Sequence, residues 1–389
     1  MAPRTILYTG KGGVGKTSVA AASARALAAA GQRTLVISTD PAHSLGESLG
    51  AELGGAPVAV GPRLSGQQIS AQEEMQSHWS AVSAWMGELL TERGVDRISA
   101  EELTVPPGMD ELFSLLVLRE HHASGEFDAI VVDCAPTGET LRLLSFPDVA
   151  RWWLEKVFPF ERQILAAARP LARTLLDIPL PDQTVFADVQ RLSEKLIAMN
   201  AILRDREHCS IRLVMNPDRM VIGEAMRTFT YLGLYGYLCD AVIVNRLFGD
   251  GVGEYFAAWR RTQEEHMVLV REAFEPVPVL TAPYFEQEVI GADMLDRLGQ
   301  TLFADRDPGA VLFSGVSQQL TVAEDGATSL RLALPLAEKG QISLKKIGAE
   351  LVVAVGGQRR TISLPPAMAQ MRAATAHFAD GELQVRFDA

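Results

Sequence analysis

Short apolar runs alternate with longer amphipathic stretches through the first three hundred residues of the chain. Thr5–Thr9, Thr34–Ser38, Gln68–Ser70, Ile130–Asp133, Arg212–Met215, Val242–Asn245 and Val277–Thr281 are the candidate strands. Brief apolar runs separated by helical stretches predict an α/β fold, a mostly parallel sheet covered by helices on both faces. Two helical stretches exceed what a crossover needs. One spans about 71–122 and is interrupted at Pro106-Pro107-Gly108; the other spans about 147–205 and carries Trp152, Trp153, Phe158 and Phe160. Such stripes usually pack into a core. As insertions into one domain they also predict a helical lobe whose apolar face is a candidate groove for client segments.

After Leu302 the pattern changes. Ala304-Asp305-Arg306-Asp307-Pro308-Gly309 is polar and turn-rich, predicting a linker over 304–312. Beyond it, Leu320–Ala323, Ser329–Leu334, Gln341–Lys345, Glu350–Val355, Arg359–Ser363 and Glu382–Phe387 follow one another with turns and no helices between. That spacing predicts a small all-β sandwich over 313–389, appended to a larger domain over 1–303.

The most specific chemistry lies between the first strand and the first helix. Gly10-Lys11-Gly12-Gly13-Val14-Gly15-Lys16-Thr17 fits G-x-x-x-x-G-K-[ST], and Ser18 opens an Ala-rich helix closed by Gly31. Glycines let backbone N–H groups curl around phosphates, and the helix N-terminus adds partial positive charge. In this pattern Lys16 bridges the β- and γ-phosphates and Thr17 ligates Mg²⁺. The predicted ligand is therefore a nucleoside triphosphate with its metal. Two carboxylates belong to the same sheet edge. Phe127-Asp128-Ala129-Ile130-Val131-Val132-Asp133 ends an apolar strand in Asp133, placed to act near the metal. Asp40, after the second strand, is then free to orient or deprotonate the attacking water. The plainer roles are a helix cap for Asp40 and a turn residue for Asp133.

Composition narrows the partners. The net charge is −12, yet the residues from Ala310 onward hold 8 Lys/Arg and 7 Asp/Glu, so the acidity belongs to the larger domain. An acidic domain is a poor general binder of nucleic acid, whose phosphates are met by Lys and Arg. No apolar run approaches the ~20 residues of a membrane span. Nothing at the N-terminus marks export. Cys134, Cys209 and Cys239 are isolated, which fits a reducing, cytoplasmic setting.

Taken together the motifs resemble a known family. Lys11-Gly12-Gly13-Val14-Gly15-Lys16-Thr17, Ser38-Thr39-Asp40-Pro41-Ala42-His43-Ser44-Leu45, Pro107-Gly108-Met109-Asp110-Glu111 and Asp133-Cys134-Ala135-Pro136-Thr137-Gly138-Glu139-Thr140-Leu141-Arg142 look like the arsenite-pump and tail-anchored-protein-targeting ATPases. The resemblance covers roughly residues 4–300. It implies Asp40 as the hydrolytic carboxylate of switch I, Asp133 in switch II and Asn245 on the adenine. By spacing, Asp218 is implied as a nucleotide contact and Pro283 as part of the loop flanking the base. Lys11 matches the extra lysine that, in such dimerising ATPases, reaches phosphates held by the other subunit. One P-loop per chain then implies a homodimer. Leu334-Pro335-Leu336, Gly357-Gln358-Arg359-Arg360 and Ile362-Ser363-Leu364-Pro365 are similar to the α-crystallin-like domain appended to some members.

The expected function is a Mg²⁺-dependent ATPase that gates binding of apolar protein segments, as a chaperone or targeting factor, touching membranes only through a client or receptor. The alternatives are the soluble engine of a metalloid pump, or a slow ATPase switch. Three features depart from the family pattern. Phe248 to His266 contains no cysteine, so no shared structural zinc is expected. Ser44 stands where targeting members usually have Asn, and Glu139 where they usually have His.

Overall fold

The computed structural model describes residues 2–40, 44–70, 83–84, 87, 91, 109–134, 183–315, 318–322, 328–348, 350–364 and 371–388. Eight strands form its main sheet: β1 (Arg4–Thr9), β2 (Thr34–Ser38), β3 (Val58–Gly61), β4 (Leu64–Gln68), β5 (Ala129–Asp133), β6 (Cys209–Met215), β7 (Cys239–Leu247) and β8 (Val279–Pro283). Their order is β3-β4-β2-β5-β1-β6-β7-β8. Every neighbouring pair is parallel except β3 with β4.

Alternate side chains of the central strands enter two separate cores, as a sheet covered on both faces requires. Ile6, Tyr8, Val36 and Val131 pack with α1 (Lys16–Ala29) and α7 (Gly291–Phe303), through Leu27, Leu295, Leu298 and Leu302. Leu7, Leu35, Ile37, Ile130 and Val132 point the other way. There they meet α3 (Met109–Ser124), α4 (Gln183–Arg204), α5 (Arg219–Tyr235) and α6 (Ala257–Phe274). The described ends of the two long helical stretches are thus core: Leu116, Leu118, Leu192, Leu196, Met199 and Leu203 are buried against the sheet. Most of the remainder of those stretches, including Pro106-Pro107-Gly108, Trp152 and Trp153, lies outside the described residues.

Strand boundaries differ from expectation where polar residues carry a strand. Ser65, Gln67 and Gln68 belong to β4, not to a strand starting at Gln68. The Gln67 amide donates to Gly55 O at 2.7 Å and that of Gln68 to Asp40 O at 3.0 Å, so the buried amide N–H groups of both side chains find acceptors. The sequence pattern also misses β3, a short edge strand preceding β4.

Seven further strands form two antiparallel sheets. β9 (Gln318–Val322), β10 (Thr328–Ala333), β14 (Arg372–Ala379) and β15 (Glu382–Asp388) pair as β14-β15-β10-β9, and β11 (Ile342–Ile347), β12 (Glu350–Val355) and β13 (Gln358–Ser363) form the second sheet. Leu330, Leu332, Leu351, Val353, Val385 and Phe387 fill the space between. Leu234 of α5 joins this core, and Tyr235 Oη donates to Gln358 Oε1 at 2.8 Å. Buried Arg360 donates to Leu234 O. Gly233 permits the close contact, since a Cβ there would lie 2.6 Å from Ala333 O.

The segment read as a linker is tied to the sheet. Arg212 donates to Pro308 O at 3.1 Å and Ala310 O at 3.0 Å, and Arg4 Nε to Gly309 O at 2.7 Å. No helix among the described residues is long and apolar enough to cross a membrane.

Candidate nucleotide site

The turn between β1 and α1 is built by close backbone approach. A Cβ on Gly10 would stand 2.1 Å from Val214 O, and one on Gly15, at φ +92°, would stand 2.4 Å from Asn245 Nδ2. Only glycine fits both positions. Gly15 is the N-cap of α1 and supplies no side chain, so the first-turn N–H groups remain available to an anion. Lys16 is buried, and its ammonium reaches back to Lys11 O at 3.3 Å, closing the loop on itself.

Thr17, at the start of α1, meets the ends of β2 and β5. Its hydroxyl donates to Asp133 Oδ2 at 2.8 Å and lies 3.2 Å from Ser44 Oγ. Ser38 Oγ donates to the same Asp133 oxygen at 3.3 Å. Asp133 is fully buried, and its Oδ1 has no hydrogen-bond partner. Burial pushes its carboxyl up to about 6, despite the opposing pull of Thr17 and Lys16. Thr9 Oγ1 and Asn216 Oδ1, at the ends of β1 and β6, are buried and equally unpartnered. Buried acceptors left unpaired at one sheet edge are a costly arrangement, and a divalent cation is the partner that fits the Asp133 oxygen.

Asp40 follows β2 on this edge, half-buried, its N–H donating to Ser38 Oγ at 3.2 Å. The Pro41-Ala42-His43 part of switch I and the Ala135–Arg142 part of switch II, with Glu139, lie outside the described residues. Beside the phosphate loop lies a cavity of about 520 Å³ lined by Gly15, Ser18, Asn245, Pro283, Tyr284 and Ile290 among others. Asn245 Nδ2 donates to Val14 O at 3.0 Å, so one residue joins the phosphate loop to this cavity. Asp218 is placed differently: it is an exposed N-cap residue of α5 and is not among the residues lining this cavity. Lys11 turns from its own loop to Glu224 of α5, with the charged atoms 3.7 Å apart.

Three contributors escaped sequence reasoning. Ser38 precedes the recognised Asp40, and Ser44 was noted only as a departure. Arg246 takes a left-handed φ of +61° and donates to Gly13 O at 3.0 Å. A Ser in such a row carries no signal until its neighbours are known, but Arg246 directly after a nucleotide-side Asn could have been suspected.

A phosphate loop, a buried strand-end aspartate and an adjoining cavity at the carboxyl edge of a parallel sheet define a P-loop nucleotide hydrolase. The comparisons give the family. Residues 3–304 match the model of the anion-transporting ATPases, and residues 325–387 match an HSP20-like domain found in ArsA. The chain therefore belongs to the ArsA-type ATPase family and is an ATPase. It is 35% identical to a protein of Chlorobaculum tepidum named "Putative arsenical pump-driving ATPase", over 99% of this chain and 96% of that one. A similarly named protein of Aquifex aeolicus is also 35% identical, over 93% of this chain and 94% of its own. ATPase GET3B of Arabidopsis thaliana is 30% identical over 76% of this chain and 77% of its own.

Proposed function

We propose that the protein is a homodimeric, Mg²⁺-dependent ATPase that couples its nucleotide state to the binding of apolar protein segments. The observation that carries the nucleotide part is the cluster of unpartnered buried oxygens around Asp133, facing Thr17 and the Lys16 loop. Thr17 and Asp133 would hold the magnesium ion, which, when bound, neutralises charge on the β- and γ-phosphates. The N–H groups of residues 10–18 and the Lys16 ammonium orient the phosphates. Asn245 and Pro283 border the base, and Asp40 receives a proton from the attacking water. Lys11, drawn toward Glu224 and away from its own loop, is available to phosphates held by a second copy.

The client reading rests on the family resemblance and on the large apolar residues of 147–205. The relatives' names favour a second reading, the engine of an arsenical pump. The cysteines speak against it, since trivalent arsenic prefers thiolates. Cys134, Cys209 and Cys239 are all buried, and burial pushes the Cys209 thiol up to about 12 and raises the other two.

Lys16→Ala is expected to abolish hydrolysis. Asp40→Asn is expected to keep ATP binding and to lose hydrolysis by about 10²–10⁴-fold, the usual contribution of a general base. Wild-type turnover in either variant would refute the assigned role. Photo-crosslinking of an apolar helical peptide with ATP and with ADP tests the client role, which equal and negligible labelling would remove. Stimulation of turnover by arsenite would favour the pump.

A further inference from the structure

We propose that a second cavity, at the amino edge of the main sheet, binds an amphiphilic anion: an apolar chain ending in a carboxylate or phosphate. It lies at the far end of α1 from the phosphate loop, about 21 Å away for a helix of 14 residues.

The cavity has a volume of about 680 Å³, within the range of small-molecule sites. It forms where the C-terminal ends of α1 and α7 meet the turn between β3 and β4 and the segment 304–308. The start of β2 pairs with the start of β4, Thr34 with Leu64, so this edge is opposite the one that carries Asp133. The sequence of the helices makes the space. Ala22, Ala26 and Ala29 are spaced by four and three residues and share the face of α1 that lines it. Gly299 brings α7 against that face, since a Cβ there would stand 3.1 Å from Ala22 O and 3.5 Å from Ala26 Cβ. Helices already in contact cannot close the space by moving together. Buried Leu64 and Phe303 complete an apolar floor.

Charge around that floor defines the ligand. The charged residues lining the cavity are Arg25, Arg63, Arg306 and Asp296. Arg25 and Asp296 offset each other, forked together at 2.7 and 2.8 Å. Arg63 and Arg306 are exposed, and their guanidinium groups form no ion pair among the described residues. Acids close by are already engaged: Asp128 is held by Arg33 at 2.7 Å, and Asp307 Oδ1 accepts from Gly309 N at 2.8 Å. Two spare guanidinium groups are thus set around an apolar floor in a chain of net charge −12. Guanidinium pairs with the oxygens of carboxylate or phosphate, and the floor accepts hydrocarbon. An inorganic anion alone would leave the floor uncovered, and a neutral alkane would leave both arginines unused. Phe303 extends the consequence. Arg212, which holds Pro308 and Ala310, lies 5.6 Å from the centre of its ring. A ligand against Phe303 and 304–308 is therefore expected to steady that segment.

The test is calorimetric titration of the full chain with decanoate and with decyl phosphate, decanol serving as the neutral control. At least one anion should bind once per chain, and decanol about tenfold more weakly or worse, as loss of charge-assisted hydrogen bonds implies. The tighter anion identifies the head group. The double variant Arg63→Glu/Arg306→Glu should weaken the anion by at least about tenfold and leave decanol unchanged. Ala29→Trp should obstruct the cavity and remove both. All three positions are exposed, so ATP turnover should stay at the wild-type rate. Hydrogen exchange locates the site: the bound anion should slow amides within 61–64 and 304–310. Absence of saturable binding by either anion overturns the proposal. So does binding that neither variant moves, protection confined to other parts of the chain, or decanol binding as tightly as the anions.

Discussion

Two fully buried aspartates sit at opposite edges of the main sheet, Asp133 where β5 ends and Asp240 near the start of β7. Asp240 is saturated. Its Oδ1 accepts from Arg212 Nε at 3.2 Å, and its Oδ2 from Arg4 at 3.3 Å, Arg212 Nη2 at 3.4 Å and Leu312 N at 3.2 Å. Asp133 has two hydroxyls on one oxygen and nothing on the other. One carboxylate is the knot of a structural staple that fastens 308–312 to the sheet. The other has no cationic hydrogen-bond donor on it, and burial raises its titration against the pull of Thr17 and Lys16. Equal burial therefore conveys little; the count of cationic donors separates a structural acid from a ligand-binding one.

The sharpest way to break the comparison is to neutralise each acid. Asp240→Asn leaves the wholly buried Arg212 guanidinium without its counter-charge, a defect that costs about 3–5 kcal/mol. Urea unfolding should record that loss, while nucleotide affinity of the folded protein stays unchanged. A loss within about 0.5 kcal/mol, the range of surface substitutions, would show that the staple carries no weight.

Asp133→Asn should do the reverse: it removes function and spares the ligand-free fold. The folded-state value lies above the ordinary carboxylate value, at about 6 against 3.8, so the folded protein binds this proton more tightly than the unfolded chain. Stability from this group is therefore full below about pH 4 and declines as pH rises through about 6. The two-unit shift corresponds to at most about 3 kcal/mol. At pH 7 the neutral amide should leave the ligand-free protein as stable as wild type or more so, and flatten its stability between pH 4 and 6. Hydrolysis should be lost because the metal-side charge is gone. An Asn variant that unfolds as readily as Asp240→Asn would erase the distinction between the two acids.

These two sites were unequally legible in the sequence. Asp133 ends an apolar strand in a chain with a P-loop, so local spacing alone marks it. The staple joins Arg4, Arg212, Asp240 and Leu312 from four distant places, and no local pattern brings them together. The same reason explains why 304–312 read as a linker: its composition is turn-like, and its anchors are arginines 96 to 305 residues away along the chain. Strands were legible where apolar, as in β2 and β12. They were missed where glutamines replaced aliphatics, as in β4, or where an edge strand was short, as in β3. Thr17 and Asp133 share a hydrogen bond beside the Lys16 loop, while Asp218 is an exposed helix N-cap residue outside the cavity lining.

A finer probe of the staple is Arg4. Its guanidinium spans Gly309 O, His208 O, Ser210 Oγ and Asp240, so it joins β1 and β6 to the strap. Burial draws it below the usual arginine range, so its charge is already held at some cost. In Arg4→Gln, Asp240 keeps both bonds from Arg212, and no buried carboxylate is abandoned. The expected loss is thus that of hydrogen bonds to a charged group, about 1.5–3 kcal/mol, below that of Asp240→Asn. Because both residues share one network, the double variant should lose less than the two single losses combined, by about 0.5–3 kcal/mol. Strict additivity in urea unfolding would mean that Arg4 acts independently of Asp240, through Gly309, His208 and Ser210. The staple would then reduce to the Arg212–Asp240 pair, set against Asp133 with its two hydroxyls.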